Sequence, residues 1–146
     1  MHPGNPILYK RCVDQGNDRP GRRYVLIVDD DAIMRDLMAD WLQAAGYDVC
    51  KAANCSAAEA EARRAAPALI ISDMFMPGPC GAMAIAQMKR AVPGVHVVAV
   101  SGHFNSGQGL SAAGALEAGA ARALAKPVKR ADLVRAVSEL LGPPAP

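Results

Sequence analysis

The chain reads as an α/β domain: a doubly wound, parallel five-stranded sheet built from five successive strand–helix units, (βα)5. Three observations predict it. Short β-prone apolar runs alternate with stretches of helical periodicity, the links between them are short, and glycine or proline marks nearly every junction. Such alternation requires parallel strands with helices on both faces of the sheet. Right-handed crossovers then leave few strand orders open, of which 2-1-3-4-5 is one common solution.

The 146 residues suffice for one domain with a real core. The chain is 51% hydrophobic but only 4% aromatic, so that core must be assembled from Ala, Val, Leu, Ile and Met. Residues 1–23 carry Pro3, Pro6 and Pro20, three glycines and scattered charge, which predicts a flexible N-terminal extension. Folded structure is expected over 24–142, with 143–146 as a short C-terminal tail.

Tyr24–Val28 is an unbroken β-prone run that ends at Asp29-Asp30-Asp31. Ile33, Met34, Leu37, Met38, Trp41, Leu42 and Ala45 then recur at helical spacing, with Gly46 placed to stop the helix and Trp41 expected in the core. A strand follows near Asp48–Ala52. Ser56 with Glu59 has the pattern of a capping box, opening a helix that Pro67 ends. Leu69–Ser72 is a third strand, apolar enough to be buried on both faces. It runs into Asp73 and a loop holding Pro77, Gly78, Pro79 and Gly81.

Ala82–Ala91 reads as a helix closed by Pro93-Gly94, and Val95–Val100 as a strand ending at Ser101. Gly102–Gly109 is a loop, followed by a poorly amphipathic Ala/Gly helix over Leu110–Ala118. Ala121–Ala125 is the fifth strand, leading to Lys126-Pro127. Leu133, Val134, Val137, Leu140 and Leu141 line the last helix, which Gly142-Pro143-Pro144 stops.

Charge and cysteine content exclude several classes. The net charge is +2, but residues 1–23 hold five basic and two acidic side chains, leaving eleven basic and twelve acidic for the body. Such a body is not a basic nucleic-acid binder, and no direct DNA binding is expected. Cys12, Cys50, Cys55 and Cys80 lack zinc-pair or CxxC spacing and read as free thiols of a reducing compartment. No apolar run approaches the roughly 18 residues of a membrane span, and no signal-peptide core opens the chain. A cytoplasmic location with no membrane partner is expected.

Polar residues mark the carboxyl ends of four strands: Asp29 and Asp30 after the first, Asp73 after the third, Ser101 after the fourth, Lys126 after the fifth. Adjacent strands lie about 4.8 Å apart, so these side chains can converge where open α/β sheets handle ligands. Close carboxylate pairs repel by roughly 4 kcal/mol at an effective dielectric near 20, so the cluster calls for a cation. Few ligands, all oxygen, favour Mg²⁺ or Mn²⁺. With the metal bound, Asp73 can act as a nucleophile toward phosphorus, Lys126 can neutralise phosphoryl charge and Ser101 can donate to a phosphoryl oxygen. The bland alternative is a helix cap, a turn serine and a solvated lysine that share strand ends by coincidence.

These motifs, Val28-Asp29-Asp30, Asp73-x-x-Met76-Pro77-x-x-x-Gly81, Val100-Ser101-Gly102 and Lys126-Pro127, resemble the receiver domain of two-component response regulators over about Tyr24–Leu141. The resemblance implies the CheY-like, flavodoxin-like order 2-1-3-4-5. It implies phosphoacceptance by Asp73, direct metal binding by Asp30 with Asp29 as companion, and a metal bond from the Phe75 backbone carbonyl. Ser101 would be the switch hydroxyl and Lys126 the phosphate-pairing lysine. The implied donor is a sensor histidine kinase or histidine phosphotransfer protein. A downstream effector protein would read the surface of the fourth helix, fifth strand and fifth helix, and a homodimer is left open. Such a domain is a phosphoacceptor that assists its own phosphorylation and dephosphorylation rather than an enzyme proper.

Three features depart from that pattern. Ala123 stands where the family commonly has an aromatic switch residue, three positions before the lysine. The glycine-rich segment between Ser101 and Gly119 runs long, and Phe104–Ala113 is expected to be mobile without phosphate. No output domain follows before Pro146, so a stand-alone receiver or a fragment of a longer regulator is expected. A rival reading is a phosphatase of the haloacid dehalogenase type, with Asp29 as nucleophile and Asp31 as acid/base, but it leaves Asp73-x-x-Met-Pro unexplained. A degenerate receiver that binds partners without phosphate is the other rival. His103 reads as a loop histidine.

Overall fold

The computed structural model describes residues 23–76, 78, 81–107 and 109–144. Except for Arg23, the expected extension over 1–23 lies outside them, as do Cys12, Cys80 and the end of the tail. Five strands, β1 (Val25–Val28), β2 (Val49–Ala52), β3 (Leu69–Asp73), β4 (His96–Ser101) and β5 (Arg122–Ala125), alternate with five helices. The helices are α1 (Ala32–Ala44), α2 (Cys55–Arg64), α3 (Gly81–Ala91), α4 (Ala112–Ala118) and α5 (Arg130–Leu141). Every strand pair is parallel and the order is β2-β1-β3-β4-β5, as expected for the fold class.

Alternation along the strands divides the core in two. Leu26, Val28, Ile70, Val97 and Ala99 face α2, α3 and α4, meeting Ala58, Ala62, Ile85, Met88 and Ala115. Val25, Ile27, Leu69, Ile71, Val98 and Val100 face α1 and α5, meeting Met38, Leu42, Leu133 and Val137. Among the described residues no helix is long and apolar enough to cross a membrane.

Local chemistry shifts several expected boundaries. Asn54, not the Ser56/Glu59 pair, caps α2: its extended backbone lets the side chain accept from the Ala57 N–H at 2.8 Å. Helix α2 ends at Arg64, before Pro67 is reached. Helix α4 starts only at Ala112, where Ser111 accepts from the Gly114 N–H, so Leu110 is not helical. It ends at Gly119 with φ +119°, a conformation that disfavours any side chain. On α1, Ile33 and Leu37 are exposed and Trp41 is only partly buried, because the sheet is covered by Met38, Ala39 and Leu42. Phe104, assigned by sequence to a mobile stretch, is buried among the α2–α4 side chains.

Candidate functional site

Register fixes where the polar residues fall. Val28 is level with Ser72, so Asp29 is level with Asp73 at the ends of β1 and β3. Ser101 is level with Ala125, so Lys126 lies one step beyond β5, and its N–H donates to the Ser101 carbonyl at 3.0 Å. By strand parity Asp29, Asp73 and Lys126 share the α1/α5 face, whereas Ser101 has the opposite parity.

The three same-parity side chains meet. Lys126 Nζ donates to Asp29 Oδ2 and to Asp73 Oδ2, both at 3.2 Å. Asp29 is fully buried and Asp73 nearly so, while Lys126 keeps one side open to solvent. Asp30 is exposed at the rim, yet Asp29, Asp30 and Asp73 each offer a carboxylate oxygen within 4.8 Å of the others. Backbone donors complete the cluster: the Asp31 N–H bonds Asp29 Oδ1 at 2.9 Å and the Phe75 N–H bonds Asp73 Oδ1 at 3.1 Å.

Burial pushes the Asp73 carboxyl above the ordinary carboxylate range; the Phe75 N–H and the Lys126 ammonium oppose this, and Asp29 adds to it. Burial alone would lower Lys126, but Asp73 and Asp29 outweigh it and hold the ammonium above its usual value. Three carboxylates against one ammonium leave uncompensated negative charge, and the donor set is all oxygen. That combination fits a hard divalent cation.

Asp31 takes no part in this cluster through its side chain. Its carboxylate caps α1, accepting from the Ile33 N–H at 3.0 Å and the Met34 N–H at 3.4 Å. An Asp29/Asp31 nucleophile and acid/base pair is therefore not formed, and the phosphatase reading falls. Ser101 is also apart: its Oγ accepts from the His103 N–H at 2.9 Å rather than bonding an acid or Lys126. His103 is not a free loop side chain, since its ring stacks on Phe75 with centroids 3.9 Å apart. Ala123 is a half-buried methyl on β5.

Arg35, not singled out in the sequence, donates from Nη1 to the Asp29 carbonyl at 2.8 Å and so braces the acidic loop. Its position one helical turn after the capping Asp31 is the signal that could have found it.

A profile of the response regulator receiver domain matches residues 25–138. The chain is 31% identical over 121 residues to the chemotaxis protein CheY of Thermotoga maritima, covering 82% of this chain and 98% of that protein. It is 32% identical over 122 residues to the phosphate regulon transcriptional regulatory protein PhoB of Pseudomonas aeruginosa, covering 80% of this chain and 51% of that one. The chain thus spans about half the length of that curated regulator. Among solved structures, the receiver domain of NtrX from Brucella abortus is similar, with TM-score 0.73 and 30% identity over 80% of this chain and 97% of that one.

Proposed function

We propose that this chain, which belongs to the receiver domain family of two-component response regulators, accepts a phosphoryl group on Asp73 with the help of a bound Mg²⁺ or Mn²⁺. The observation that carries the proposal is the bridge from Lys126 to Asp29 and Asp73 within a cluster of three acids.

A carboxylate oxygen of Asp73 forms a bond to phosphorus while the phosphorus–nitrogen bond of a phosphohistidine donor breaks. The electron pair leaves on the imidazole nitrogen, which takes a proton from water. Asp29, Asp30, Asp73 and the Phe75 carbonyl would hold the divalent ion, which supplies neutralisation of the phosphoryl oxygens' charge. Lys126, already at Asp73, is placed to pair with the same oxygens. Ser101 would turn from its present partner to donate to one of them.

The donor is a sensor histidine kinase or a histidine phosphotransfer protein. The effector is a protein that reads α4, β5 and α5, where Leu116 is exposed and β5 forms a half-buried sheet edge. A second reading, partner binding without phosphate, has no feature in its favour, because both central acids and the lysine are in place.

Intact-mass measurement after treatment with acetyl phosphate tests this. The expected result is the mass gain of one phosphoryl group, dependent on Mg²⁺ and absent in Asp73→Asn. Labelling that persists in Asp73→Asn, or is indifferent to Mg²⁺, would overturn the assignment.

A further inference from the structure

The hydroxyl that is to meet the phosphoryl group is already engaged. Ser101 is 2% exposed, so its Oγ cannot exchange the His103 N–H for bulk water in place. His103 is held in turn. Its carbonyl accepts from both the N–H and the Oγ of Ser106, closing a compact turn, and its imidazole lies against the Phe75 ring at 3.9 Å with a 30° tilt. Phe75 is bonded through its own N–H to Asp73 Oδ1.

The far end of the same loop passes close to that ring. Gly109 has φ +69°, and a Cβ there would lie 3.6 Å from Phe75 Cδ1. The loops after β3 and β4 are therefore joined by a chain of contacts, Asp73 to Phe75 to His103 to Ser101, with Phe104 buried beside it.

Ala123 offers nothing comparable. A methyl group has no alternative position that could report on Ser101, whereas a half-exposed Phe75 and its histidine partner can separate. When Ser101 rotates to donate to a phosphoryl oxygen, Oγ leaves the line of the His103 N–H. The hydroxyl proton gains a charge-assisted bond, and it is the rotation needed to reach it, from the opposite parity of Ser101, that takes Oγ away from the His103 N–H. The 102–106 turn then loses its inner tether while Phe104 keeps its place.

We infer that His103 is a positioning residue that latches the Ser101 hydroxyl at rest, and that its parting from the Phe75 ring is the aromatic movement by which this chain registers phosphorylation. The inference rests on Asp73 being the phosphoacceptor.

NMR of the imidazole carbon-bound protons tests it, with His103 assigned from His103→Gln. At rest the His103 signals should carry a ring-current shift that Phe75→Leu abolishes. Saturation with beryllofluoride and Mg²⁺ should move them to the Phe75→Leu position in the parent protein. In Ser101→Ala the same addition should leave them where they were. Bound beryllofluoride is followed separately by fluorine NMR. Signals that stay put while bound beryllofluoride is seen, or that move equally in Ser101→Ala, overturn the latch. If no bound beryllofluoride forms and acetyl phosphate does not label Asp73, the phosphoacceptor reading fails and the latch fails with it.

Discussion

The centre of the sheet and its β5 flank are built differently. Every residue of β1 and β3 is buried, and apart from Ser72 the side chains beneath Asp29 and Asp73 are Val, Leu and Ile. No residue of β5 is fully buried, and its neighbour α4 has seven residues with only Ala115 in the core. Helix α5, by contrast, buries Leu133, Ala136, Val137 and Leu141. Apolar area removed from water sets how firmly an element is held, and alanine removes little. The acids thus sit on the stiff part of the molecule, and the α4 and β5 portion of the surface proposed to signal sits on the loose part. A site assembled in advance can react without waiting for the fold, while a loosely held flank can shift at small cost.

Core truncations give the largest expected contrast. Ile71→Ala, in fully buried β3, should cost about 3 kcal/mol, whereas Leu124→Ala, half-buried on β5, should cost about 1 kcal/mol. Urea denaturation with a common slope measures both. Equal costs would erase the distinction between centre and flank.

Lys126→Ala comes next, because it leaves the fully buried Asp29 without its ammonium. The loss should be about 2 kcal/mol, less than for a fully enclosed pair since Lys126 is part-exposed. Millimolar Mg²⁺ should restore much of it by binding the native acids. A variant that is equally destabilised with and without Mg²⁺ would separate the lysine from the metal site.

How much of this was legible in the sequence depends on the kind of interaction. Leu69-Ile70-Ile71 announced a strand buried on both faces because such a run has no polar side to expose. Asp29, Asp73 and Lys126 were legible because strand ends in a parallel sheet converge whatever the details. The cap of α2 was not: Ser56 and Glu59 have the right spacing, but Asn54 reaches the Ala57 N–H first and leaves Ser56 inside the helix. Ile33 and Leu37 share the helical period of α1 but lie one position off Met34 and Met38, about 100° around the helix, and remain exposed. The resting bond of Ser101 and the stack of His103 on Phe75 depend on loop conformation, which residue spacing does not encode.

A smaller effect follows from the acids themselves. Asp73 titrates above its unfolded value, near about 3.9 for an ordinary aspartate. A raised carboxyl contributes stability that is fully present below the unfolded value and is lost as pH rises through the folded one. At neutral pH the ionised, buried Asp73 therefore works against folding. Asp73→Asn should raise the unfolding midpoint at pH 7 in the absence of divalent ions, and the gain should vanish once both carboxyl states are protonated. The gain should be smaller than the loss in Lys126→Ala, because the amide still offers Lys126 an acceptor. A lower midpoint for Asp73→Asn at pH 7 would mean that the ion pair outweighs burial.

Amide exchange resolves the subtlest difference. The amides of Ile27, Ile71 and Val98 are shielded within β1, β3 and β4 and should open only with the whole fold. Between Asn105 and Ala113 the described residues are mostly exposed, with Ser111 capping a helix of two turns, so exchange there should be fast without phosphate. Phe104 is excluded from that stretch by its burial and should mark the boundary. Beryllofluoride with Mg²⁺ should slow exchange in 107–113, beyond the turn that gives up the Ser101 bond, and leave the β1 and β3 amides unchanged. Protection that is the same in both states would show that the loose flank does not answer the charged site, and the contrast between centre and flank would then be one of packing alone.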